Sequence, residues 1–221
     1  MTAPTPDVVY LLDVDNTLLD NGVVIADLRR NLRDTLGVEG EERYWAIFED
    51  LFLNPGFADY LGAFNRYSAE HPRDPRLFDV SLLLLNYPFR ERLYPRALEV
   101  VAALKQRGRV AIVSDGDVVY QPHKIKRSGL WQAVEGSVLV YIHKEEMLLD
   151  IERRYPARRY VMFDDKIFVL AAMKAVWKER VTTVFVRQGH YALDEKLIAQ
   201  SPAADVTIES IGEAISRIDS F

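Results

Sequence analysis

The stretch LLDVDNTLLD, residues 11–20, sets Asp13, Asp15 and Thr17 behind an apolar run that begins at Val8. Side chains at i and i+2 of an extended segment point the same way, so Asp13 and Asp15 can share one site. Two neighbouring carboxylates with different proton affinities can divide the work of nucleophile and general acid–base. Two further apolar runs end alike: 110–113 runs into Ser114-Asp115-Gly116-Asp117, and 161–163 into Asp164-Asp165-Lys166. If Asp164 and Asp165 join Asp13 and Asp15, up to four carboxylates converge. Such a cluster is costly unless a cation joins it, and hard oxygen ligands favour Mg²⁺. Aspartate is also common where a strand turns into a loop, which accounts for any one of these stretches by itself. Three of them at matched strand ends are better explained by a site.

The elements that would hold these residues are short, β-branched-rich apolar runs alternating with longer runs of helical period. That is the pattern of a parallel α/β sheet, in which ligands lie at the carboxyl ends of the strands. Strands are expected at 8–12, 109–113, 137–142, 159–163, 181–186 and 205–208. Pro95 suits a first helical position, 97–104 is periodic, and Gly108 stands where a left-handed stop would end that helix. From 20 to 92 there is no strand-like run, only helical patterning rich in aromatics: Tyr44, Trp45, Phe48, Phe52, Phe57, Phe64 and Tyr67. A plain crossover needs one helix, so this segment is expected to hold several, folded over the sheet. Asn54-Pro55-Gly56 and His71-Pro72-Arg73-Asp74-Pro75 would divide them, with the aromatics as their core.

Composition narrows the function. A length of 221 residues suits one domain, or a core with a modest insertion. A formal charge of −5 argues against nucleic acid as the main partner and against a polybasic membrane surface. The chain has no cysteine, which excludes thiolate catalysis, and its four histidines lack the spacing of a zinc site. No apolar stretch is long enough to span a bilayer, and the opening residues lack the regions of a signal peptide. A cytoplasmic location is the expectation. No GxGxxG follows the first strand, against a nucleotide-binding dehydrogenase.

Four motifs, in order, resemble those of the haloacid dehalogenase-like (HAD) hydrolase superfamily. DVDNTL, 13–18, is similar to the first, DxDxT; VAIVS, 110–114, to the second, a strand ending in Ser or Thr. Lys144 is similar to the third, a lysine shortly before the fourth, and VMFDD, 161–165, to the fourth, an acidic pair after a strand. VTTVFVRQGHYA, 181–192, also resembles uncharacterised bacterial members. The resemblance implies a Rossmann-like α/β core, 1–19 and 93–221, with a C1-type α-helical cap inserted at 20–92. It implies a Mg²⁺-dependent phosphatase acting on a small phosphorylated metabolite, as a monomer or homodimer. In that reading Asp13 is the nucleophile and Asp15 the general acid and base. Thr17 and Ser114 bind the phosphate, and Lys144 offsets its charge. Mg²⁺ would be held by Asp13, the Asp15 backbone carbonyl, and Asp164 with Asp165 assisting. The dehalogenases that name the superfamily lack the second acid, since departing halide needs no proton, so Asp15 favours phosphoryl chemistry. A phosphotransferase or mutase using the same residues, and a binding protein that has lost turnover, are the alternatives.

Three residues depart from the family pattern. Asn16 stands where glycine is frequent and would tolerate a left-handed turn. Phe163 replaces a glycine that often precedes the fourth-motif acid and is expected to tighten the site near the metal. Asp115 stands where an amide is common; a carboxylate beside phosphate is unfavourable, so it is expected to point away or to meet a cationic part of the substrate. Lys124 and Lys126, ten and twelve residues after Ser114, compete with Lys144 for the third motif. Lys144, twenty before Asp164, is preferred. Arg90, Arg92 and Arg96, and the cluster Arg153, Arg154, Arg158 and Arg159, are read as solvated surface. His190, after the fifth strand, is weighed as a cleft residue, with a role outside the cleft preferred.

Overall fold

The computed structural model describes residues 7–53 and 58–221, so the break expected at Asn54-Pro55-Gly56 and the place of Phe57 lie outside the described residues. Six strands among the described residues form one sheet in the order β3-β2-β1-β4-β5-β6. They are β1 (Val8–Leu12), β2 (Arg109–Asp115), β3 (Val138–Tyr141), β4 (Arg159–Asp164), β5 (Val181–Val186) and β6 (Val206–Ile208), each within two residues of the expected run. Every pairing is parallel, as in a Rossmann-like α/β fold. Strand β1 is apolar throughout because both faces are covered. Val8, Tyr10 and Leu12 pack into one core cluster, Val9 and Leu11 into the other.

The strand order reverses between β1 and β4, which opens a crevice at their carboxyl ends. Leu12 lies beside Phe163 in register, and the Asp13 N–H continues the ladder to the Phe163 carbonyl at 3.0 Å. Asp13 and Asp164 therefore leave neighbouring strands at the same level.

Between β1 and β2 the chain forms three helices, α1 (Asn21–Leu53), α2 (Tyr60–Glu70) and α3 (Leu77–Asn86). Helix α1 is broken at Gly37, whose φ of +81° suits glycine alone. The break expected at 71–75 falls between α2 and α3. Tyr44, Trp45, Phe48, Tyr60 and Tyr67 are buried, with ring centroids 4.8 Å apart for Phe48 and Tyr60 and 4.9 Å for Trp45 and Phe48. Phe52 departs from that expectation, at 40% exposed. The outgoing and returning chain run side by side: the Asp20 N–H donates to the Arg92 carbonyl at 2.8 Å and the Tyr94 N–H to the Leu18 carbonyl at 3.0 Å. The Asp20 carboxylate then starts α1 by accepting from the Val23 N–H.

Two local expectations are corrected. Helix α4 (Ala97–Lys105) begins two residues after Pro95, because Arg96 takes a left-handed φ of +67°. Gly108 does not take a left-handed stop; a Cβ there would lie 2.7 Å from the Val8 carbonyl oxygen, so the position needs glycine for close approach to β1. Helices α5 (Tyr120–Arg127) and α6 (Leu130–Ala133) join β2 to β3, and α7 (Leu148–Arg154) joins β3 to β4. Helices α8 (Ile167–Trp177) and α9 (Glu195–Gln200) complete the remaining crossovers. No helix of the described residues is long and apolar enough to cross a membrane.

Candidate active site

Asp13 follows β1, Asp164 ends β4 and Asp165 follows it. One carboxylate oxygen from each lies within 4.8 Å of the other two. All three are buried, and so is Lys144, on the short turn after β3. Its Nζ lies 2.5 Å from Asp13 Oδ1 and 2.7 Å from Asp164 Oδ2. The backbone N–H of Lys144 donates to Asp115 Oδ1 at 2.9 Å, and Asp115 Oδ2 is 3.5 Å from Lys166 Nζ. Asp115 thus faces the Lys166 ammonium and, through the Lys144 N–H, anchors the turn that carries Lys144.

Lys144 contacts two of the three carboxylates, and Lys166 acts on the cluster from farther away. Burial pushes the Asp13 carboxyl up against the opposing Lys144 ammonium, with Asp164 adding to the rise. Burial raises Asp165 as well, followed by Asp164 and Asp13. Lys144 is held well above its ordinary range by Asp13 and Asp164 despite its burial. Both Asp165 oxygens are buried without a hydrogen-bond partner, an arrangement that needs an explanation such as an ion. Three clustered carboxylates, one of them with both oxygens unpartnered, are hard oxygen donors that fit Mg²⁺.

The fourth carboxylate does not join them, which corrects the expectation of four convergent acids. Asp15 Oδ1 and Oδ2 accept from Lys124 Nζ at 2.8 and 2.9 Å, and Oδ2 also accepts from Gln121 Nε2 at 3.2 Å. Lys124 is buried and makes a further 3.2 Å bond to Asn21 Oδ1 at the start of α1. Lys144 and Lys124 therefore each take one acid of the DxD pair. Reading the two lysines as rivals missed this. A signal was present: Tyr120, Gln121, Lys124 and Ile125 form the buried face of α5, and a lysine on such a face requires a partner.

Ser114 Oγ, also buried, accepts from Gln121 Nε2 at 3.0 Å, while Thr17 Oγ1 and Asn16 Oδ1 are buried without partners. Asn16 takes the left-handed turn at φ +60°, and Gly189 packs so tightly on it that a Cβ would lie 2.4 Å from Asn16 Cβ. Phe163 does not tighten the site: its ring belongs to the core and meets Phe221 at 5.2 Å, because it faces away from Asp164 along the strand. Arg92 pairs with Asp27 at 2.9 Å and Arg154 with Asp150 at 2.8 Å, both away from the cluster.

A cavity of about 680 Å³ is lined by Asp15, Asn16 and Gln121 and by residues of α1 and α2. His190 and Tyr191 line it, contrary to the preferred reading of His190. Burial and then Lys166 lower the His190 pKa, which favours the neutral ring. A second hollow, about 660 Å³, lies beside β6 and holds none of these residues.

Sheet order and an acid cluster at the switch point define the class, a Rossmann-like α/β protein whose candidate site lies at the strand ends. The family follows from direct likeness. The chain belongs to the haloacid dehalogenase-like hydrolases, whose family profile matches residues 9–176. A haloacid dehalogenase-like hydrolase of Burkholderia xenovorans LB400 is 54% identical, with a TM-score of 0.91 over 97% of this chain and 98% of that one. The L-2-haloacid dehalogenase of Xanthobacter autotrophicus is 15% identical, with a TM-score of 0.63 over 96% and 98% of the two chains. The HAD-hydrolase YfnB of Bacillus subtilis is 15% identical, with a TM-score of 0.64 over 97% and 100%. At 15% identity these last two share the fold. No curated protein matches the chain.

Proposed function

We propose that this hydrolase is a Mg²⁺-dependent phosphatase that releases phosphate from a small phosphorylated metabolite through an aspartyl-phosphate on Asp13. One observation carries the reading: Asp13, Asp164 and Asp165 are buried together, Lys144 contacts only the first two, and both Asp165 oxygens have no hydrogen-bond partner. Asp13, Asp164, Asp165 and the Asp15 carbonyl would hold the metal; the Bacillus subtilis YfnB structure is described as bound to magnesium. When bound, Mg²⁺ lets an anionic nucleophile approach an anionic phosphate.

Asp13 attacks phosphorus as the ester P–O bond breaks, and Asp15 gives its proton to the departing alkoxide. Asp15 then takes a proton from water, which attacks the aspartyl-phosphate. The bond to Asp13 breaks and phosphate leaves. Ser114, Thr17 and Lys144 hold the phosphoryl oxygens. Helices α1–α3 act as a cap over the leaving group, hinged where 18–20 runs beside 92–94.

The contact of Lys124 with both Asp15 oxygens favours a second reading, displacement of halide, which needs no proton donor. The two separate in one experiment: phosphate release from phosphomonoesters with Mg²⁺ or EDTA, and halide release from 2-chloropropionate, each beside Asp13→Asn. Phosphate release that needs both Mg²⁺ and Asp13 is the expected result. Full phosphatase activity in Asp13→Asn sinks the mechanism, and halide release alone selects the second reading.

A further inference from the structure

We propose that the alcohol released by this enzyme is uncharged and largely apolar, seated in the cavity between Asp15 and helices α1 and α2. The reaction part of this statement rests on the phosphatase reading; the preference of the cavity does not. A volume of about 680 Å³ holds far more than a phosphoryl group and matches pockets for whole small ligands. From α1 it is lined by Ile25, Phe48, Phe52 and Leu53 beside the polar Asn21 and Glu49, and Ala58 and Tyr60 continue the apolar side. Phe52 and Leu53 remain 40% and 77% exposed at its mouth, and Ile142 and Phe168 face the cavity from the sheet side at 42% each. Apolar surface held open on both sides of a cleft is what an apolar ligand would cover.

Charge points the same way. Among the described residues, the only ionisable carboxylate or ammonium that α1 and α2 give the cavity is Glu49, 3.6 Å from Arg29. Lys166 is the one lysine or arginine among the described lining residues, and Asp115 faces it at 3.5 Å. His143 stands 4.0 Å from Glu145. A second phosphate or a carboxylate on the leaving group would meet Glu49, Asp115 and Glu145 with no free cation to receive it. Bisphosphates, nucleotides and phosphorylated acids are therefore disfavoured.

The test compares primary alkyl esters, so that leaving-group basicity does not decide the outcome. With Mg²⁺, kcat/KM for 3-phenylpropyl phosphate is expected to exceed that for glycerol 3-phosphate and for fructose 1,6-bisphosphate at least tenfold. Phe52→Arg should shrink that ratio at least tenfold, and Leu53→Arg, at a more exposed position, should do the same. Calorimetry with 3-phenylpropylphosphonate, which cannot be hydrolysed, should show binding at least tenfold tighter than 3-carboxypropylphosphonate. Preference for glycerol 3-phosphate or the bisphosphate overturns the inference, as does equal binding of the two phosphonates. If no ester is hydrolysed while the apolar phosphonate still binds tenfold tighter, the cavity preference stands and the phosphatase reading falls.

Discussion

Asp13 and Asp15 stand two residues apart and each meets a buried lysine, yet their surroundings differ in charge balance. Around Lys144 three carboxylates gather, two of them in direct contact with its ammonium. Lys124 meets one carboxylate, that of Asp15, and donates to the neutral amide of Asn21, while Gln121 donates to Asp15 and the Tyr60 ring lies 6.0 Å from the ammonium. The first group carries excess negative charge in a buried place, which a cation would offset. The second is balanced and ties three elements together: the turn after β1, helix α5 and the first residue of α1. One group is thus unbalanced in charge, and the other is balanced and fixes the position of Asp15. Position along parallel strands creates the difference, since Asp13 has an acidic neighbour at its own level on β4 and Asp15 lies beyond the strand.

Three variants break or sharpen that contrast, and a fourth gives a reference outside it. The largest effect is expected from Asp15→Asn, which should lower kcat for phosphate release by about 10²–10⁴-fold while leaving the thermal response to Mg²⁺ unchanged. Lys124→Met leaves Asp15 without its ammonium. Removing one partner of a fully buried pair costs ~3–5 kcal/mol. Asp15 is 28% exposed, so denaturant unfolding should report about 2–3 kcal/mol, with part recovered in the double variant Lys124→Met/Asp15→Asn.

The third variant addresses the unbalanced group. Mg²⁺ at a hundred times its Kd should stabilise the protein by about 2.7 kcal/mol, read as a rise in Tm. Asp165→Asn should remove that rise and, without metal, melt higher than wild type because it relieves repulsion. A metal-free variant that melts lower would show that the acid cluster is already satisfied.

The smallest effect lies outside both groups. Asp27 accepts from the Tyr87 hydroxyl at 2.6 Å and pairs with Arg92, joining α1 to the returning chain. The Tyr87 hydroxyl, opposed by burial and aided by Arg30 and Arg92, holds its carboxyl below the ordinary range. Asp27→Asn should cost about 1.5 kcal/mol at neutral pH. A lowered carboxyl contributes stability at neutral pH that is lost as pH falls below about 4, through the lowered value. Wild type and variant should therefore converge in acid, as followed by Tm against pH.

Much of this was readable along the chain. A buried parallel strand is a short apolar run ending in a change of polarity, so Val8–Leu12 and Arg159–Asp164 announce themselves, and with them Asp13 and Asp164. The segment 20–92 was legible as helical from its period and its aromatics. Helix details were not. Arg96 delays α4 by a backbone twist, and Gly108 is needed by a neighbouring strand that lies a hundred residues earlier. Phe163 and Asp115 were misplaced or left open because the direction of a side chain beyond a strand end depends on what packs beside it.

The sequence by itself determined which groups are available, an acidic pair, a Ser, a lysine and a second acidic pair, each at the end of an apolar strand, because strand propensity and polarity are local properties. Tertiary structure alone decided how they are shared. It gave Asp13 to Lys144 and Asp15 to Lys124, left Asp165 without a partner, and set apolar rings of α1 and α2 over the cavity. Those pairings join residues 109 and 131 positions apart, and only the order of strands in the sheet brings such distant charges within a few ångströms.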